Sequence, residues 1–93
     1  MSILKHHIDD EPLRFIEHNG TQFFSVADIK RIIGKKRILQ KSRIPETETV
    51  SYLPDGYKRK ICFVSKNYLL EFLKRTAREN TYRAYQKLET ELI

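Results

Sequence analysis

An α+β domain of two packed layers, with two β-hairpins and about three to four helices, is the fold class this sequence predicts. Three observations carry it. Asn19-Gly20 separates two short strand-like runs, and Asn-Gly is the strongest two-residue hairpin signal because both residues accept the positive φ of a type I′ turn. Pro54-Asp55-Gly56 separates a second pair of such runs; there proline presets φ, aspartate caps the turn and glycine accepts the left-handed region. A strand–Ser–helix pattern also occurs twice, at Phe24-Ser25 and at Val64-Ser65.

The elements follow in order. Residues 1–12 read as a flexible leader, since His6, His7, Asp9, Asp10 and Glu11 break any apolar period; the folded domain is expected over 13–93. Leu13 to His18 and Thr21 to Phe24 form the first hairpin. Ser25 is a good N-cap, and Asp28 follows where a negative charge favours the helix dipole. Val26, Ile29, Ile32 and Ile33 make one apolar stripe of a helix, which Gly34 ends in an αL cap. Lys35 to Ile44 suits a short second helix with Ile38 and Leu39 inward, stopped by Pro45. Glu48 to Leu53 is the next strand, and Tyr57 to Val64 its return. That return strand is polar at its start and apolar at its end, so its first half should project while its second half is buried. Ser65 caps a helix with the stripe Tyr68, Leu69, Phe72 and Leu73. A last helix is expected from about Asn80, with Tyr82, Tyr85, Leu88 and Leu92 inward.

Composition narrows the function. The chain has 93 residues, enough for one small core. It is 40% apolar and 32% charged, with five Tyr and five Phe supplying much of the area to be buried. The single Cys62 has no intramolecular disulfide partner, so nothing points to an oxidising compartment. No apolar run reaches the length of a membrane span and no signal-peptide core opens the chain. An intracellular domain with no membrane partner is expected. His6, His7, His18 and Cys62 are the soft metal ligands, and they lack the spacing of a zinc site. Ser25, Asp28 and His18 are too loosely placed for nucleophilic catalysis, and no glycine-rich phosphate loop is present. A non-enzymatic module without metal or cofactor is the expectation.

Charge points to the partner. Between Asp28 and Glu46 stand seven basic residues and no acid: Lys30, Arg31, Lys35, Lys36, Arg37, Lys41 and Arg43. Those seven exceed the net charge of +6 for the whole chain, so the excess is segregated. Segregated positive charge attracts polyanions, of which nucleic acid is the commonest. Lys58, Arg59 and Lys60 add a second basic group after the Pro-Asp-Gly turn, and Arg78 a third between the last two helices. Plainer readings stand beside these: a solvated loop for the first run, and protection of a strand edge from aggregation for the second. Lys74 and Arg75 complement a helix dipole. Tyr52 and Tyr57 are cross-strand packing residues before they are stacking platforms for a single strand. Double-stranded DNA is the leading partner. An acidic protein surface, or single-stranded nucleic acid or RNA, is the alternative. Oligomeric state is not encoded in any of these features.

The segment Phe23-Phe24-Ser25-Val26-Ala27-Asp28-Ile29-Lys30-Arg31-Ile32-Ile33-Gly34 resembles the opening motif of the BRO amino-terminal domain of baculovirus BRO proteins and phage antirepressors. Ile61-Cys62-Phe63-Val64-Ser65 with Tyr68-Leu69-Leu70 resembles that family's second strand-to-helix junction, and Tyr82 and Tyr85 its closing aromatic pair. The resemblance runs from about Leu13 to Leu92. It implies a DNA-binding module of a viral or phage regulator of transcription, related in role to the KilA-N type. It also implies the antirepressor alternative, a module that binds a protein.

Overall fold

The computed structural model describes residues 3–8, 10–33, 41–76, 86, 87 and 90. A five-stranded antiparallel sheet forms one layer. Its strands are β1 (Leu4–Ile8), β2 (Glu11–His18), β3 (Thr21–Ser25), β4 (Thr49–Tyr52) and β5 (Ile61–Ser65), in the order β1-β2-β3-β5-β4. The helices α1 (Val26–Ile33) and α2 (Lys66–Thr76) form the second layer.

The first hairpin closes as the Asn-Gly signal requires. Asn19 has φ 52° and Gly20 φ 77°, the paired left-handed residues of a type I′ turn. The register Phe15↔Phe24 and Ile16↔Phe23 follows from it. Both serines cap their helices: the Ser25 Oγ accepts from the Asp28 amide at 3.3 Å and the Ser65 Oγ from the Tyr68 amide at 3.2 Å. Each bond satisfies an N–H that the first helical turn would otherwise leave without a partner.

Period-two alternation divides the apolar residues between the two faces of the sheet. Leu13, Phe15, Phe24 and Val64 face the helices and pack with Val26, Ile29, Leu69 and Leu73. Ile16, Phe23 and Phe63 are buried on the opposite face, with Val50, Tyr52 and Ile61 against them. Both helices thus pack on the same face of the sheet.

Three expectations are corrected. The leader contains a strand: β1 pairs with β2 from Leu4↔Phe15 to Ile8↔Glu11. An edge strand needs only one covered face, and here Ile8 is buried while the His6 ring stacks on Phe15 at 4.5 Å between centroids. Its turn uses Asp10 at φ 66°, a conformation aspartate tolerates better than most residues, in place of a glycine. The return strand begins at Ile61, so Tyr57 to Lys60 belong to a loop over 53–60. Tyr52↔Ile61 is the last pair of β4 and β5, and the tip therefore lacks the alternation of a strand. Within that loop the Tyr57 amide donates to the Pro54 carbonyl at 3.1 Å, with Gly56 at φ 84°. Pro54 thus supplies the acceptor of the turn, and Asp55 takes the corner position.

The proposed helix over Lys35–Ile44 is described only at its end, where Lys41–Arg43 form a single 3-10 turn and Ile44 is buried. A second 3-10 turn, Glu46–Glu48, follows Pro45. The Gly34 cap, Ile38 and Leu39 lie outside the described residues. Of the last helix, residues 86, 87 and 90 are helical, while Asn80, Tyr82, Tyr85, Leu88 and Leu92 lie outside the description.

The repeated strand–Ser–helix pattern is a spatial repeat. β3 and β5 are antiparallel neighbours in the register Phe23↔Ser65, Phe24↔Val64 and Ser25↔Phe63. A local two-fold axis through the Phe24–Val64 pair therefore exchanges Phe23-Phe24-Ser25 with Phe63-Val64-Ser65. It carries β2 onto β4, α1 onto α2, and the buried Ile29 onto the buried Leu69. The halves differ in the hairpin connection, Asn19-Gly20 in one and 53–60 in the other, and in β1, which extends the sheet beyond β2 while β4 remains an edge.

Candidate nucleic-acid interface

Asp28 organises the start of α1. Its side chain is buried, and burial of a carboxylate is tolerated only with compensating charge and hydrogen bonds. Arg14 on β2 supplies both. Its Nε donates to Asp28 Oδ2 at 2.9 Å, its Nη2 to Oδ1 at 3.0 Å, and its backbone amide to Oδ2 at 2.9 Å. Paired bonds of this fork type are the strong class of ion pair. Asp28, opposed by desolvation, holds the Arg14 guanidinium above its ordinary pKa, and Tyr57 adds to the same effect. Arg31 completes the cluster: Nη2 lies 3.2 Å from Asp28 Oδ1, Nε donates to Glu11 at 3.1 Å, and Nη2 to the Pro12 carbonyl at 2.9 Å.

Beside this cluster lies a groove of about 300 Å³, lined by Arg14, Val26, Ala27, Lys30, Lys60, Ile61 and Cys62. It runs between the start of α1 and the start of β5. Lys30 comes from the first basic group and Lys60 from the second, so the fold brings together two groups far apart in sequence. Arg14 is already paired with Asp28. Lys30 and Lys60 have no carboxylate partner among the described residues, so they set the sign of the groove. Ile61, Ala27 and Val26 give it an apolar wall. Lys58 and Arg59 are exposed in the loop that delivers Lys60.

The other predicted contacts divide into three sets. Arg31 is used inside the protein, bridging α1 to β2. Arg43 is exposed at the end of its 3-10 turn, and no bond ties it to the described residues. Lys35, Lys36, Arg37 and Arg78 lie outside the described residues, as does the side chain of Lys41. Arg14 was not among the expected contacts, although Leu13-Arg14-Phe15-Ile16 carries a signal for it. A cation inside an apolar strand needs an anion, and the nearest acid on an adjacent helix start is Asp28.

The two-fold axis generates a second groove. Gly20, Thr21, Gln22, Lys66 and Asn67 stand where Lys60, Ile61, Cys62, Val26 and Ala27 stand in the first, and together with Glu17 they line about 450 Å³. Its charges are one acid and one base. The architecture thus makes a groove twice and makes it cationic once. Compared with known protein families, curated proteins and solved structures, the chain matches none.

Proposed function

We propose that this chain is a non-enzymatic DNA-binding module of a viral or phage-type regulator, acting inside the host cell in the nucleus or cytoplasm. The observation that carries the reading is the meeting of Lys30 and Lys60 at one groove, with Lys58 and Arg59 exposed on the adjoining loop. Cations from separate elements on one face, without a carboxylate partner among the described residues, raise the local potential where a phosphate backbone can lie. The likeness of Phe23 to Gly34 and of Ile61 to Leu70 to the BRO amino-terminal domain points the same way, toward duplex DNA and transcription regulation. No helix among the described residues is long and apolar enough to cross a membrane.

Fluorescence anisotropy with labelled duplex, single strand and RNA tests the proposal. Duplex DNA is expected to bind in the micromolar range, with a log–log salt slope of about −0.9 per phosphate neutralised. Lys58→Gln with Lys60→Gln should weaken binding more than Lys5→Gln with Lys74→Gln, which removes the same charge from exposed sites that do not line the groove. Equal losses would show that DNA feels only total charge. No duplex binding at low salt would reject the reading and leave a module for an acidic protein surface.

A further inference from the structure

The strongest feature outside ordinary backbone contact is the asymmetry between the two grooves. Both lie between a helix start and the first residues of the neighbouring central strand, and both follow from the same two-fold arrangement. The packing of the fold therefore does not require a pair of lysines at this place, because the equivalent place carries a single lysine, Lys66, with Glu17 at its side. Lys60 stands opposite Gly20 in this comparison, and Lys30 opposite Leu70. Each is a long cationic chain where the other half has none. Lys30 is half-buried and has no carboxylate partner among the described residues.

The lining also limits what the anion is. At about 300 Å³ the groove is at the small end of ligand sites, too small for a folded partner. Ile61, Val26, Ala27 and Cys62 provide apolar wall beside the two ammonium groups. A charged head attached to a flat or aliphatic body satisfies both, whereas a bare inorganic ion uses only the cations.

We propose that this groove is a seat for one nucleotide, its phosphate between Lys30 and Lys60 and its sugar or base against Ile61 and Ala27. The inference rests on the nucleic-acid reading and deepens it, turning a diffuse basic face into a site with a centre. Lys30 and Lys60 donate to phosphate oxygens, while Arg14 stays committed to Asp28 and adds field from behind. The second groove, lacking both lysines, does not bind.

Amide NMR of the full chain, titrated separately with a deoxynucleoside 5′-monophosphate, the unphosphorylated deoxynucleoside and inorganic phosphate, reads both grooves in one experiment. The monophosphate should shift Ala27, Lys30, Lys60, Ile61 and Cys62 and leave Gly20, Thr21, Lys66 and Asn67 in place. It should bind more tightly than inorganic phosphate, and the nucleoside should cause no comparable shift. Lys30→Gln with Lys60→Gln should weaken monophosphate binding at least about tenfold, the loss expected for removing charge-assisted hydrogen bonds. Monophosphate occupancy should also slow alkylation of Cys62, the single cysteine of the chain. Equal shifts in both grooves, absence of shifts, or full affinity in the double variant would overturn the seat. Failure of the seat with duplex binding retained leaves the DNA reading standing. A functioning seat without duplex binding overturns that reading and leaves the seat.

Discussion

The two strand–Ser–helix halves of this molecule cap their helices with the same serine and the same bond, yet they anchor that serine with opposite charges. In the first half the Ser25 Oγ accepts from Arg14 at 3.3 Å as well as from the helix. In the second, the Ser65 hydroxyl donates to Glu48. By the register of the two hairpins, Arg14 and Glu48 are equivalent positions, each one residue beyond the last matched pairs Phe15↔Phe24 and Thr49↔Val64. The difference traces to the third helical residue. Asp28 places a carboxylate inside the first turn of α1, so the strand must bring a cation. Tyr68 places none in α2, so a carboxylate arrives from outside. A negative charge near a helix start is favourable in both halves; the two sequences reach it by different routes.

That contrast predicts unequal dependence on the two acids. Asp28→Ala strips Arg14 of its main partner, takes one of two carboxylates from Arg31, and leaves the Arg14 amide without its acceptor. Breaking a buried pair from one side costs about 3 kcal/mol or more, and the accessibility of Arg14 to water keeps the expected loss near that lower figure. Glu48→Ala removes one charged acceptor while Ser65 keeps its bond to Tyr68, a loss of about 1 kcal/mol. Urea midpoints at constant m distinguish them. Equal losses would mean that the two halves are anchored alike after all. The Arg14 pKa is raised in the folded state, so its contribution is fully present below the unfolded value and is lost only as pH rises through the folded one. The Asp28 penalty should therefore be constant from neutral pH into mild alkali.

A double-mutant cycle sharpens the same contrast at smaller scale. Ser65→Ala and Glu48→Ala share one bond, so their effects should couple by about 0.5 to 1 kcal/mol. Ser25→Ala and Glu48→Ala belong to different halves and should add without coupling. Each serine alone should lose about 1 kcal/mol as a helix cap. Coupling across the halves would show that the two-fold units are not energetically independent.

Much of this arrangement was legible in the chain. Asn19-Gly20 specified a turn by its φ requirements, and Ser25 and Ser65 announced helix starts because their hydroxyls fit a local geometry. Local rules reveal local structure. β1 stayed hidden because an edge strand can be polar on alternate residues, and because Asp10 gives a weaker turn signal than glycine. The start of β5 at Ile61 was missed because Tyr57 to Lys60 carry strand-like residues in a loop. The candidate site was half visible. Lys30 and Lys60 were both expected contacts, but their meeting depends on β3 and β5 being neighbours, a long-range pairing that no local pattern encodes. Arg31 read as a free cation because its partner Glu11 lies in another strand.

The two turns test the contrast with matched stability losses, and they separate stability from function. Gly20 has φ 77° and Gly56 φ 84°, and an added Cβ at either position meets nothing within 4 Å. Alanine at each site therefore introduces backbone strain without a clash, and should destabilise by about 1 kcal/mol in both cases. Their consequences for binding should differ. The Gly20 turn ends at the neutral groove, whereas the Gly56 turn starts the segment that carries Lys58, Arg59 and Lys60 to the cationic one. A shift of that segment moves the ammonium groups relative to Lys30, and a geometry set for one phosphate tolerates little displacement. Gly56→Ala should thus lower nucleotide and duplex affinity severalfold, while Gly20→Ala leaves both unchanged at equal loss of stability. Equal affinities in the two variants would show that the loop presents charge without geometry, and the difference between the grooves would then be one of net charge alone.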